Sequence, residues 1–281
     1  MSSIPAHLIQ LANDYPENQA WLKDLPAIIE KLKKEWHLDL GQPLTENATC
    51  SYVAPCTVND KAPAVLKIGL PHEEAMHEIE GLQLLNGQPT VQLLRSDKTI
   101  NAMLLEKCVP GTSLKSEPEP VQDEIIGELL KRIWEAGFAG APFRPLASLV
   151  ELWNRETLAQ LHRFPDPELA KKGCRLKEKL VETTTLPVLL ATDLHAGNVL
   201  RAERKPWLAI DLKPYVGDRS YDLTQHLFNC IERLTADPKA TIRRVSKLAG
   251  VDEKRVTDWM FARTASESGG AHQQLALKLG H

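Results

Sequence analysis

Two short apolar runs, residues 187–190 and 207–210, each end at an acidic site, and this pair constrains the fold more than any other stretch of the chain. The first leads into Asp193-Leu194-His195-Ala196-Gly197-Asn198, and the second ends at Asp211. Apolar runs of this length, bounded by polar turn formers, read as short buried strands. A hairpin built from them carries an Asp, an Asn and a second Asp at one end. That is the acid cluster of kinase-type phosphoryl transfer. One Asp orients the acceptor hydroxyl and takes its proton, while the Asn and the second Asp hold Mg²⁺ on the nucleotide phosphates. A hard cation that keeps water and phosphate oxygens around it needs few oxygen ligands from the protein. Taken alone, D-x-x-x-x-N is equally a turn with two good turn formers. The second Asp, at hairpin spacing behind an apolar strand, moves the reading to chemistry.

Composition excludes several alternatives. The 281 residues are 43 % hydrophobic and 25 % charged with a formal net charge of −3, an ordinary globular balance for one large or two modest domains. The chain lacks the basic excess of a general nucleic-acid binder. It has no apolar run long enough to span a membrane, and the first residues have neither the basic region nor the apolar core of a signal peptide. Five scattered cysteines without a C-x-x-C read as reduced thiols, so a cytoplasmic location is expected. Nothing in the sequence fixes an oligomeric state.

Along the chain, residues 18–36 are helical in period, with Trp21, Leu22, Leu25, Ile28, Ile29, Leu32 and Trp36 on one stripe, and Pro26 suggests a break or a second start. Strands are expected at 52–57, 64–68, 91–94 and 102–106, with a helix over 73–85. Cys108-Val109-Pro110-Gly111 interrupts regular structure as a linker would. Beyond it the sequence is mainly helical, at 121–136, 149–161, 169–182, 222–234, 239–248 and 252–266. The expected organisation is an N-terminal, strand-rich lobe over 1–107, a hinge at 108–112, and a helical lobe over 113–281 that carries the acid-cluster hairpin. A nucleotide would sit in the cleft between such lobes.

Other residues fit the same chemistry. Lys67 closes an apolar run inside the expected sheet, where a lysine is costly unless paired. A lysine reaching ATP phosphates, fixed by a carboxylate from the next helix, satisfies that condition. Glu78 is the candidate partner, with Glu74 one turn earlier as the alternative. The competing reading is an edge-strand lysine that snorkels to water. The loop 45–51 would cover the phosphates, but it has no glycine and is equally an ordinary connection. Main-chain groups near Glu106 and Cys108 would read the adenine edge. There is no P-loop, no H-E-x-x-H and no G-x-S-x-G.

These residues together resemble the aminoglycoside phosphotransferase superfamily, and within it the streptomycin 6-kinase and hydroxyurea phosphotransferase family. The resemblance covers nearly the whole chain. Its matches are the segment from Trp21 to Leu38, Leu66-Lys67-Ile68, His77-Glu78, Leu104-Leu105-Glu106, Pro110-Gly111, Asp193-Leu194-His195 and Gly197-Asn198-Val199-Leu200. They continue through Ala209-Ile210-Asp211 and Val216-Gly217-Asp218 to Tyr221-Asp222-Leu223. The resemblance implies an α+β, two-lobed, protein-kinase-like fold. By it, Asp193 is the catalytic base, Asn198 and Asp211 are Mg²⁺ ligands, Lys67 with Glu78 binds ATP phosphates, and Asp222 buttresses the catalytic loop. Two departures stand out. Ala191-Thr192 replaces the family's usual His-Gly, and Asp211-Leu212-Lys213 replaces its usual Asp-Pro-Lys. The expected activity is ATP-dependent phosphorylation of a hydroxyl on a small molecule, of aminoglycoside or hydroxyurea type. The rival expectations are a non-catalytic kinase-like nucleotide binder and a kinase of an unidentified metabolite.

Overall fold

In a computed structural model, which describes residues 4–45, 48–72 and 76–280, the chain forms two compact units, Met1–Gly111 and Thr112–His281. Among the described residues no helix is long and apolar enough to cross a membrane.

The first unit begins with helices α1 (Ala6–Asp14) and α2 (Gln19–Glu35), followed by strands β1 (Leu38–Leu40), β2 (Ser51–Val58) and β3 (Ala62–Gly69). Helix α3 (Glu78–Leu85) precedes β4 (Leu93–Asp97) and β5 (Ala102–Glu106). The five strands make one antiparallel sheet in the order β1-β2-β3-β5-β4. Asn59 and Asp60, both left-handed, turn β2 into β3, as the primed hairpin turns require. Alternation then sorts the side chains. Tyr52 and Ala54 from β2, and Ala64, Leu66 and Ile68 from β3, join Leu25, Ile29 and Leu32 of α2 in one buried cluster. Lys67, between Leu66 and Ile68, must point to the other face of the sheet.

Helix α2 runs through Pro26 without a break. The missing N–H costs the helix a hydrogen bond, and Pro26 sits on the exposed face of the helix. The next turns bury Leu25, Ile29 and Leu32, each contributing on the order of 1.5–3 kcal/mol, and that burial outweighs the proline.

The second unit holds α4 (Glu119–Trp134), α5 (Leu146–Ala159) and α6 (Pro167–Glu182). Short strands β6 (Val188–Leu190), β7 (Val199–Arg201), β8 (Trp207–Ala209) and β9 (Tyr215–Gly217) follow. Helices α7 (Arg219–Asn229), α8 (Ile231–Ala236), α9 (Pro238–Ala249), α10 (Glu253–Ala265) and α11 (Gly270–Leu279) complete it. The expected helix over 222–234 is therefore two helices, parted at Cys230. Aspartates start several of these helices by accepting from a backbone N–H of the first turn: Asp166 for α6, Asp218 for α7, Asp237 for α9 and Asp252 for α10. Gly250, left-handed at φ +71, ends α9, and the Val251 N–H returns to the Ser246 carbonyl. The four strands pair as two antiparallel ladders, β6 with β9 and β7 with β8.

Candidate active site

The loop from Ala191 to Asn198 leaves β6 and enters β7, and its apolar and polar residues alternate in burial. Leu194, Ala196 and Val199 are buried in the core, while Asp193, His195 and Asn198 are half-buried. Burying the apolar set anchors the loop and leaves the polar set at its surface. The Asn198 carboxamide N–H donates to the Asp193 carbonyl at 3.1 Å, which leaves the amide oxygen as the end available to a cation. The Ile210 N–H donates to the Asn198 carbonyl at 2.9 Å, so Asp211 follows directly where the β7–β8 ladder ends. Asp211 is left-handed, at φ +56. A non-glycine residue in that region is held against a conformational cost, a pattern concentrated at functional sites.

Asp222, in the first turn of α7, holds the loop from beneath. It is fully buried and accepts three N–H groups: Ala191 at 2.9 Å, Thr192 at 2.7 Å and the Trp134 indole at 2.9 Å. Burial pushes its carboxyl up to about 6, and those three donors limit the rise. The Thr192 hydroxyl donates to the Lys213 carbonyl at 2.7 Å, and the Lys213 N–H returns to the Ala191 carbonyl at 3.2 Å. The Lys213 ammonium then reaches the Asp193 carboxylate at 2.8 Å. Sequence reasoning named Thr192 and Lys213 only as parts of motif departures. The signal it lacked is that residues 192 and 213 tie the two loops together, so that Thr192 and Asp222 pin the loop without an imidazole at position 191. His195 accepts from the Gly197 N–H at 3.0 Å through Nδ1. Burial lowers its pKa, with Asp193 opposing that shift. His195 is thus a neutral ring that shapes the turn.

In the first unit, the Lys67 ammonium donates to both Glu78 oxygens, at 2.7 and 2.8 Å. Both side chains are about nine-tenths buried or more. Glu78 opens α3, which places its carboxylate where the helix dipole favours negative charge. The alternative partner, Glu74, lies outside the described residues, as do Glu46 and Asn47 in the expected phosphate loop. Glu106 sits at the end of β5, and its backbone N–H and carboxylate both engage Gln92, at 2.9 and 3.0 Å. Cys108 is buried, and its carbonyl lies so close to Gly111 that a Cβ there would meet it at 3.0 Å.

Among the described residues, one other cluster has metal-ligand chemistry. Asp123, His226 and Cys230 are buried, with ligand atoms within 4.8 Å of one another. The Asp123 carboxylate, however, already accepts from Arg233 and Arg244 as well as from His226. Two guanidinium groups against the same oxygens leave no room for a cation, and the cluster serves the packing of the helices. Asn198 and Asp211 offer a different chemistry: an amide oxygen and a carboxylate, the hard oxygen donors that Mg²⁺ prefers.

Comparison with known proteins places this geometry. A family model described as aminoglycoside/hydroxyurea antibiotic resistance kinase matches residues 35–274. A streptomycin 6-kinase of Streptomyces glaucescens is 32 % identical over 88 % of this chain and 83 % of its own length. A hydroxyurea phosphotransferase of Kitasatospora aureofaciens is 28 % identical over 92 % of this chain and 77 % of its own. Among solved structures, a choline kinase from Streptococcus pneumoniae superposes with TM-score 0.64 at 13 % identity, covering 90 % of this chain and 96 % of the other. A macrolide 2'-phosphotransferase from Brachybacterium faecium gives TM-score 0.58 at 18 % identity, covering 92 % and 98 %. At such identities the structural likeness shows the fold, which is the protein-kinase-like phosphotransferase fold with a small antiparallel sheet and a larger helical part.

Proposed function

Since the chain belongs to the aminoglycoside/hydroxyurea antibiotic resistance kinase family, we propose that it transfers the γ-phosphate of ATP to a hydroxyl of a small molecule, of streptomycin or hydroxyurea type. The observation that carries this reading is the pair of loops, one with Asp193 and Asn198 and the other with Asp211, tied together through Thr192 and Lys213 and pinned from beneath by Asp222. Asp193 orients the acceptor hydroxyl and takes its proton at the carboxylate oxygen. Lys213 pairs with that carboxylate at 2.8 Å. Asn198 and Asp211 are the groups that would hold Mg²⁺, which when bound neutralises charge on the transferring phosphate. Lys67, steadied by Glu78, contacts the nucleotide phosphates, and backbone groups near Glu106 and Cys108 hold the adenine. Residues 1–107 and 113–281 serve as the two lobes, joined by 108–112. The reaction takes place in the cytoplasm, where ATP is available.

Most of the rate enhancement in such a site comes from positioning and electrostatic stabilisation, because the transferring group needs little covalent help. A fixed loop therefore matters more than any single nucleophile. The test is an ATP-dependent phosphorylation screen with Mg²⁺, in which streptomycin, hydroxyurea and a panel of hydroxyl-bearing metabolites are offered and phosphorylated product is identified by mass. Phosphorylated product from streptomycin or hydroxyurea supports the reading. Nucleotide binding with no product across the panel would replace it with a binding protein built on the same fold.

A further inference from the structure

Helices α5, α6 and α10 of the second unit enclose a cavity of about 340 Å³ whose lining includes none of the residues assigned to phosphoryl transfer. Its depth is set by a close approach of two helices. At Gly173 in α6, a Cβ would stand 2.7 Å from the Ala262 carbonyl oxygen and 2.9 Å from the Ala265 Cβ of α10. With no side chain at 173, the α6 backbone lies directly against α10. Lys177, one turn further along the same face, is carried under α10 instead of out to water. It is 3 % exposed and lines the cavity.

Among the described residues, nothing hydrogen-bonds the Lys177 ammonium and no carboxylate lies within ion-pair distance of it. Its neighbour Glu178 instead accepts from Asn154, at 3.0 Å. Burying a cation without a partner costs stability, and that burial, with the nearby Arg263 charge adding to it, pulls the Lys177 pKa down to about 8. A second cation, Arg263, faces the same cavity, held by the Thr224 hydroxyl and the Gln225 carboxamide and lying over the rings of Trp153, Tyr221 and Phe228. The two buried hydroxyls in the lining are spent on backbone, Thr157 on the Ser266 carbonyl and Ser266 on the Ala262 carbonyl. The deep end therefore offers cationic donors in search of an acceptor. Its apolar walls are Trp153 and Phe164, and its exposed mouth carries Glu156 and Glu267.

We propose that this cavity binds a small organic acid, carboxylate inward on Lys177 beside Arg263, with an apolar or aromatic body against Trp153 and Phe164. A single negative charge satisfies the unpartnered lysine, whereas a phosphate dianion would have to pass the two glutamates at the mouth. The inference stands on this cavity alone and holds whichever acceptor the chain phosphorylates.

The test is calorimetric titration of the full-length protein with benzoate, 3-phenylpropionate and hippurate, with 3-phenylpropionamide and inorganic phosphate as controls. At least one carboxylate is expected to bind saturably, and the amide to bind at least about tenfold more weakly, the scale of one charge-assisted hydrogen bond. Lys177→Met should weaken the carboxylate by a similar factor and leave the melting temperature unchanged or raised, because it removes a buried charge that has no partner. Trp153→Ala should weaken it through loss of the wall while leaving Lys177 in place. Absence of saturable binding by all three acids would overturn the proposal, and so would equal affinity for acid and amide. Tighter binding of phosphate, or unchanged affinity in Lys177→Met, would overturn it as well. A lowered melting temperature in Lys177→Met would show the lysine to be holding the fold, and the proposal would fall.

Discussion

In the proposed mechanism Asp193 touches the acceptor, and its surroundings show little role in holding up the fold. Its side chain is only half-buried and its recorded side-chain partner is the partly exposed Lys213 at 2.8 Å, and an ion pair so placed contributes little to stability. Asp193→Asn should therefore fold and bind nucleotide as the parent does, while turnover falls by about 10²–10⁴, the range of a lost general base. Nucleotide affinity measured beside kcat separates the two effects, and near-parent turnover would remove Asp193 from the mechanism. Asp222 is the reverse case. In Asp222→Asn one carboxylate oxygen becomes an NH₂ that faces N–H donors from Ala191, Thr192 or Trp134. Setting donor against donor in a fully buried site costs about 1–3 kcal/mol. The expected result is a lower melting temperature together with reduced kcat, since the loop that aims Asp193 has lost its support. Unaltered stability would mean the loop is held elsewhere.

Helix α3 is an element whose first residue completes a pair on β3, and the pair predicts an order of damage. On the proposed role of Lys67 at the nucleotide phosphates, Lys67→Met should cut kcat/KM for ATP by about 10²-fold, the scale of losing one preorganised donor. Glu78→Gln keeps an oxygen on Lys67 and should cost less. Steady-state kinetics on both variants reads the order, and a larger loss from Glu78→Gln would show that the glutamate does more than steady the lysine. Helices α6 and α10 give a second prediction. Alanine is the better helix former by about 1 kcal/mol, yet a Cβ at 173 would meet the Ala262 carbonyl oxygen at 2.7 Å. Overpacking of that kind costs about 1–3 kcal/mol, so Gly173→Ala should destabilise despite its propensity gain, and thermal unfolding gives the sign.

Elements were legible in the sequence where periodicity reports burial. The stripe of α2 and the short apolar runs of β2 and β3 carry their own physical reason. The candidate acid cluster could be put forward from the sequence because its residues lie close together along the chain. Lys213 on Asp193 and Thr192 on Lys213 could not, since two loops create those contacts. Pro26 misled because propensity says nothing about what the following turns bury. Lys177 was hidden for a related reason: a charged helix reads as solvated until its neighbour's close approach is seen.

At the largest scale, the second unit is tied together by one buried anion. Asp123 of α4 accepts from His226 of α7 at 2.8 Å, from Arg233 of α8 at 2.7 Å and from Arg244 of α9 at 3.0 Å. Burial opposes a charge on His226, but the Asp123 carboxylate and the Cys230 thiol outweigh it and raise its pKa to about 9. Burial likewise opposes ionisation of Asp123, and Arg233 and His226 outweigh that, holding its carboxyl well below the usual range. The signs then differ. His226 is raised above its unfolded value of 6.5, so its stabilisation is complete below that pH and disappears as pH climbs through about 9. Asp123 is depressed below 3.8, so its share is complete above that pH and disappears only in strong acid. The ceiling on the histidine effect is about 3 kcal/mol at 1.36 kcal/mol per pH unit, and the partnerless Nδ1 of His226, buried in the core, subtracts from it. Lys177, lowered by burial to about 8, titrates the opposite way above that pH. The useful measurement is therefore the difference in unfolding free energy between the parent and His226→Gln, which retains a donor for Asp123 but carries no charge. That difference should be constant from pH 5 to 6.5 and shrink steadily toward pH 9. A difference that stays flat across the whole range would mean His226 is neutral in the folded protein, and that the two arginines alone balance Asp123.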